Sequence, residues 1–298
     1  MKSAFPLLKA AAAVVIWGVA FIAAKVALRE IAPMMMTWLR FAIGLGVIGV
    51  YLGVRGGFRS ISRREAGHVA LLGFIGIALH QWLQANGLVT AEATTSAWIM
   101  ATIPIFIAGF GRILLKERLT PLIAAGILIA AAGVLLIVAH GNLRSLASGS
   151  FGRPGDLLVF LSAPNWALFS VLSRKSLRSR PATQTMFFVM LFGWLFVLVP
   201  AAAEVRFSAQ IFFSSILSLS FPALLAILFL GIFSSGFAYI FWYDALQAVA
   251  ASRVGSFLYI EPVIASAAAF LILGERFTPL ALLGALLILL GVLFVNRV

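Results

Sequence analysis

Long apolar runs alternate with short polar segments along the whole chain. The runs fall at about 7–28, 33–53, 67–88, 93–113, 120–139, 155–174, 183–203, 221–246, 252–273 and 279–296. An α-helix of about 20 apolar residues crosses the hydrocarbon core of a bilayer. The runs are continuously apolar, whereas the strands of a membrane barrel would alternate and be about half as long. Pro33, Pro121, Pro222 and Pro279 stand near run starts, where a missing N–H costs a helix little. The pattern predicts an all-α integral membrane protein with ten transmembrane helices.

Composition agrees with this. Of 298 residues, 63% are hydrophobic and 10% charged, and mean hydropathy is +1.11. A soluble domain carries about a quarter charged residues. Cysteine is absent, which excludes disulfides, thiolate metal sites and Cys nucleophiles. Lys2 and Lys9 followed by an Ala-rich run imitate a signal peptide. The run exceeds the usual signal core and has a counterpart in the second half, so it is expected to stay as the first span.

The net charge of +13 sits in short loops, which points to topology rather than nucleic acid. With the N-terminus inside, fifteen Lys and Arg fall on the cytoplasmic side. Five (Arg29, Arg144, Arg153, Arg206 and Arg276) fall outside, and Lys25 and Arg40 lie within spans, together the 22 present. The positive-inside bias predicts cytoplasmic N- and C-termini in a bacterial inner membrane.

The chain also repeats. Shifted by 158 residues, Pro104 meets Pro262, and Glu117-Arg118-Leu119-Thr120-Pro121-Leu122 meets Glu275-Arg276-Phe277-Thr278-Pro279-Leu280. Gly126 and Gly133 meet Gly284 and Gly291, and 73–137 against 231–295 shares 15 of 65 positions. Further upstream a shift of 149 aligns Trp17 with Trp166 and Lys25 with Arg174. Two five-helix repeats are expected, 1–140 and 141–298. Five is odd, so the second must be inverted. The charges agree: four Arg lie between spans 2 and 3 against Arg206 alone between spans 7 and 8. Inverted halves suit alternating access around a midplane site.

Polar groups within lipid are costly and mark sites or helix contacts. Span 3 carries Gly73, Gly76, His80, Gln84 and Gly87 at helical spacing, flanked by Gln81 and Asn86; this face is either a cavity wall or a packing surface. Its repeat partner is Gly231, Ser234, Ser235, Tyr239, Trp242 and Tyr243, with Asp244 placed to pair with Arg253. Trp17, Trp98, Trp166 and Tyr259 lie well inside their spans, so an aromatic cage is expected beside the interfacial alternative. Glu261 stands beside Pro262 in span 9. It falls about 200° around the helix from Tyr259 at 100° per residue, which favours a structural partner over the cavity. Lys25 and Arg40, towards the outer ends of their helices, either snorkel, neutralise Glu261 or meet a substrate carboxylate. The expected substrate-binding set is therefore Trp17, His80, Gln81, Gln84, Trp98, Trp166, Tyr239, Tyr243 and Tyr259. Lys25, Arg40 and Glu261 are candidates for a charge pair or coupling.

Gly44-Leu45-Gly46-Val47-Ile48-Gly49 matches a dinucleotide fingerprint, but no strand precedes it and the mechanism is absent. No Gly-Lys-Ser/Thr phosphate loop and no metal-ligand spacing are found. The expected protein is not an enzyme, uses no cofactor or metal and binds no nucleic acid. Its partners are a small-molecule substrate and the lipid bilayer, as a monomer or a dimer.

Trp17-Gly18 with Phe21 and Lys25, Arg40-Phe41, and Lys116-Glu117-Arg118-Leu119-Thr120 with Gly126 and Gly133 resemble an EamA domain. Trp166, Glu261-Pro262, Gly274-Glu275-Arg276-Phe277-Thr278, Gly284 and Gly291 resemble a second. The resemblance, to the drug/metabolite transporter superfamily, covers essentially the whole chain. It implies ten helices in two EamA repeats, with spans 1, 3, 4, 6, 8 and 9 around a cavity and spans 5 and 10 outside. It implies export of amino acids or related metabolites, and a scaffold role for Glu261-Pro262. Drug exporters and nucleotide-sugar or triose-phosphate carriers share that fold. A lipid-handling or channel-like protein and an intramembrane enzyme are the readings from other classes.

Overall fold

A computed structural model of the chain describes residues 4–58, 60–115, 121–138, 152–177, 181–248, 256–275 and 278–296. Lys116, Glu117, Arg118, Arg144, Arg253 and Arg276 lie outside the described residues. All regular structure among the described residues is helical. The helices are α1 (Ala4–Ala27), α2 (Pro33–Val54), α3 (Arg63–Thr90), α4 (Ala93–Met100), α5 (Ile103–Leu115), α6 (Pro121–Val138), α7 (Pro154–Leu177) and α8 (Ala182–Glu204). They continue as α9 (Ala209–Leu217), α10 (Phe221–Phe229, running on through Leu230–Phe237 and Ala238–Ala248), α11 (Glu261–Leu273) and α12 (Pro279–Asn296). Six of them (α1, α2, α3, α7, α8 and α10) are long and apolar enough to cross a membrane, and four further apolar stretches are shorter.

Sequence chemistry explains the boundaries. Pro33, Pro121, Pro154 and Pro279 each open a helix. α3 begins with a capping box in which the Ser62 hydroxyl accepts from the Glu65 amide and Glu65 accepts from the Ser62 amide. The run at 93–113 breaks after Met100, and in the run at 252–273 a 3-10 turn, Ser256–Ile260, directly precedes α11. Pro104 and Pro262 stand at these breaks, and each removes a backbone donor from its helix. Two π-helical segments, Phe74–Leu79 in α3 and Leu230–Phe237 in α10, lie at positions related by the same 158-residue shift.

The π segment changes what span 3 presents, because it breaks the steady 3.6-residue phase. Gly73 packs on α8, where an added Cβ would lie 2.5 Å from the Val189 carbonyl oxygen, and Gly87 packs on α7, 2.8 Å from that of Gly155. The small residues are thus packing positions, while His80, Gln81 and Gln84, beyond the π segment, face inward. α6 and α12 run against each other through the predicted glycines: a Cβ on Gly284 would lie 2.7 Å from the Gly133 carbonyl oxygen.

One end of the bundle is held by carboxylates that cap helices of the opposite half. Glu204 accepts from the Met34 and Met35 amides at 3.1 and 2.8 Å. Glu275 accepts from the Ala93 and Thr94 amides, both at 3.0 Å. Glu30 accepts from the Ser220 amide at 2.7 Å and hydroxyl at 2.5 Å, and Arg153 bridges to Glu92 at 2.7 Å. Carboxylates at helix N-termini meet orphan donors and the positive end of the helix dipole. At the other end Asp244 pairs with Lys9 at 2.7 Å and accepts from the Thr183 hydroxyl at 3.2 Å. Lys9 reaches Asp244 because α10 packs along α1; the partner expected for Asp244, Arg253, lies outside the described residues.

Replacing Gly284 by Leu should destabilise the protein by about 1–3 kcal/mol through overpacking, read as a lower midpoint of thermal unfolding in detergent. Gly46→Ala, with open space around it, should be neutral. The Ser220 hydroxyl and amide hold the Glu30 carboxyl below the usual carboxylate range. Its contribution is therefore complete above that range and is lost as pH falls through the lowered value. The midpoint difference between wild type and Glu30→Gln should stay constant down to the usual carboxylate range and shrink below it.

Candidate functional site

A cavity of about 710 Å³, part of it open to solvent, lies where the two halves meet. From the first half α1 lends Trp17, Ala20, Phe21 and Ala24, α2 lends Met36 and Arg40, and α3 lends His80, Gln81, Gln84, Ala85 and Leu88. Met100 and Ile103 come from the break between α4 and α5. The second half lends Trp166 from α7, Tyr239 from α10, Leu258 from the 3-10 turn and Glu261 from α11. Trp166 packs against both of the main apolar clusters. One cluster holds Ala20–Ala24 and Ile31 towards the carboxylate-capped end, and the other holds Ala10, Ala13 and Leu52 towards the end with Lys9.

Each wall is fixed by a contact between halves. A π segment leaves backbone carbonyls outside the regular ladder, and within lipid these need another donor. The Trp17 indole N–H donates to the Ser234 carbonyl at 3.1 Å, and Asn165 donates to the Ile75 carbonyl at 2.7 Å. The two contacts are counterparts: neighbouring positions of the first helix in each half meet the π segment of the other half. The His80 ring lies 4.8 Å from Trp166. Its Nδ1, 3.2 Å from the Ser162 carbonyl oxygen, must carry the proton of that contact, because a carbonyl only accepts.

Arg40 is buried, at 6% exposure, which corrects the snorkelling alternative. Its Nε donates to the Ser235 hydroxyl and its Nη2 to the Ser234 hydroxyl, both at 3.0 Å. The guanidinium also lies 5.2 Å from the Phe41 ring centre. Glu261 lines the cavity, against the angular expectation that turned it away. The side chain of Tyr259, from which that angle was taken, lies outside the described residues.

Of the predicted residues, Trp17, Arg40, His80, Gln81, Gln84, Trp166, Tyr239 and Glu261 meet at this cavity. Trp98 and Tyr243 stand behind its walls. The Trp98 indole donates to the Ser266 hydroxyl at 3.1 Å and clips α4 to α11. Tyr243 is buried and stacks on Tyr239 with ring centres 6.2 Å apart. Lys25 donates to the Leu88 carbonyl at 2.8 Å rather than to Glu261. The side chain of Tyr259 lies outside the described residues. The sequence did not single out Met36, Met100 and Leu258, since apolar residues in apolar spans carry no mark.

A helical membrane bundle around a polar and aromatic cavity built from both halves is the architecture of a polytopic membrane transporter. The EamA-like transporter family model matches the chain twice, over residues 4–139 and 153–297. The chain belongs to that family, within the drug/metabolite transporter superfamily. An "uncharacterized transporter" of Archaeoglobus fulgidus is 32% identical over 95% of this chain and 96% of its own length. The "uncharacterized transporter YyaM" of Bacillus subtilis is 29% identical over 94% and 90%. A "probable amino-acid metabolite efflux pump" of Salmonella typhimurium is 24% identical over 95% and 91%. A solved crystal structure shares the fold at a TM-score of 0.67, with 22% identity over 97% of this chain and 95% of the other.

Removing both Ser234 and Ser235 hydroxyls by Ala substitution should cost about 2–3 kcal/mol, because the buried guanidinium loses its acceptors. Adding Arg40→Met should restore much of that loss, since no unpaired charge then stays buried. Denaturant unfolding of the purified variants tests the pair; a purely additive result contradicts it.

Proposed function

We propose that this protein is a secondary transporter that exports amino acids (aromatic, apolar or over a broad range) and related small metabolites by alternating access. The observation that carries the reading is the cavity itself, walled by both halves and lying between the two main apolar clusters, each of which draws on both halves. In this reading ten spans form two inverted repeats of five, 1–140 and 141–298, in a bacterial inner membrane with both termini cytoplasmic. The doubled family match, the paired π segments and the exchanged loop charges support it. α6 and α12 pack mainly on each other, leaving the other helices to rock around the site.

Trp17, Trp166 and Tyr239 give the cavity apolar faces for a side chain, and His80, Gln81 and Gln84 give it polar groups. Arg40 is the single guanidinium or ammonium among the described lining residues, which suits a carboxylate better than a sugar phosphate. The printed name of the Salmonella relative supports the amino-acid class.

Proteoliposomes of purified protein should take up labelled aromatic and apolar amino acids saturably. Trp166→Ala should raise KM by about tenfold or more, the usual cost of removing a buried aromatic anchor, and His80→Ala should also impair uptake. Comparing uptake with and without an imposed pH gradient tests proton coupling. No uptake above empty liposomes by folded protein overturns the amino-acid reading.

A further inference from the structure

A guanidinium and a carboxyl group share the cavity without meeting each other. Arg40 is held by Ser234 and Ser235 through two of its N–H groups, and a guanidinium has five. Among the described residues no carboxylate lies within ion-pair distance of it, and none of the described hydrogen bonds or ion pairs engages Glu261. The backbone shows why the two stay apart. Trp17 reaches the Ser234 carbonyl, on the helix that holds Arg40. The next residue, Gly18, packs on α11, where an added Cβ would lie 3.0 Å from the Glu261 carbonyl oxygen. Successive residues of a helix point about 100° apart, so α1 stands between an Arg40 wall and a Glu261 wall. A charge removed from water is costly unless something pairs with it. A ligand that supplies both partners replaces the lost hydration at both walls; one that supplies a single partner leaves the other charge unmet.

We infer that the cavity reads its substrate as a zwitterion, with Arg40 taking the carboxylate, Glu261 taking the ammonium group, and the Trp17–Trp166 side receiving the apolar remainder. The inference rests on the amino-acid reading above and names the groups that select for it. Glu261 thereby has a binding role, where the sequence resemblance implied a scaffold.

The test is equilibrium binding of three probes to the full-length protein in nanodiscs: tryptophan, tryptamine, which lacks the carboxylate, and indole-3-propionate, which lacks the ammonium group. Wild type should bind tryptophan more tightly than either analogue. Glu261→Gln should weaken tryptophan and tryptamine by about tenfold to a hundredfold, the range of a charge-assisted hydrogen bond, and leave indole-3-propionate unchanged or tighter. Equal weakening of all three probes, or none, overturns the assignment of Glu261. So does wild-type protein that fails to prefer tryptophan, a comparison that needs no variant. Wild type that binds none of the three overturns the amino-acid reading itself, whereas tryptophan bound equally by wild type and Glu261→Gln overturns only the present inference.

Discussion

A bilayer interior offers no hydrogen-bond partners, so every polar group placed there must be met from within the protein. Regular helices meet this requirement by themselves except at their ends and at irregular segments. In this protein those exceptions are where the two halves touch. The helices starting at Pro33, Ala93 and Phe221 each have donors met by a carboxylate from the other half. The π segments of α3 and α10 receive donors from Asn165 and Trp17. The same need that keeps each helix intact therefore fixes how the halves fit, and with it the shape of the cavity between them.

If the halves move as proposed, these contacts differ in how readily they exchange. The carboxylate caps form a ring at one end, and Lys9–Asp244–Thr183 forms a smaller tie at the other. Both sets link helices at their tips, where water can replace a lost partner, so they exchange at modest cost compared with a bond broken in the hydrocarbon. The Trp17 and Asn165 contacts lie deeper, between π segment and facing helix, which makes them suited to act as pivots in such a movement. Close glycine packing joins α6 and α12 along one flank.

The cavity wall combines groups of different standing. Trp98 and Tyr243 support it from behind, through Ser266 and Tyr239, while Trp17, His80 and Trp166 present faces to it. Arg40 is anchored by hydroxyls that leave its charge uncompensated. A neutral anchor positions a cation without neutralising it, so the charge stays available to whatever enters.

The sequence by itself determined the membrane setting, the all-helical class and its own internal repeat. Continuous apolar runs admit no other spanning element, and a residue-by-residue repeat such as Glu-Arg-x-Thr-Pro-Leu is visible without coordinates. Most of the polar and aromatic cavity residues were legible too, because a His, Gln or Trp deep in an apolar run is costly and stands out. Tertiary structure decided what depends on helix phase and on partners far apart in the chain. Only the packed helices show that Gly73 meets α8 and Gly76 and Gly87 meet α7, while His80, Gln81, Gln84 and Glu261 line the cavity. Arg40 looked able to reach the membrane surface; only the fold brought Ser234 and Ser235, nearly 200 residues further on, close enough to keep it inside. Local pattern fixes which groups are costly to bury, but only the packed structure says which other group meets that cost.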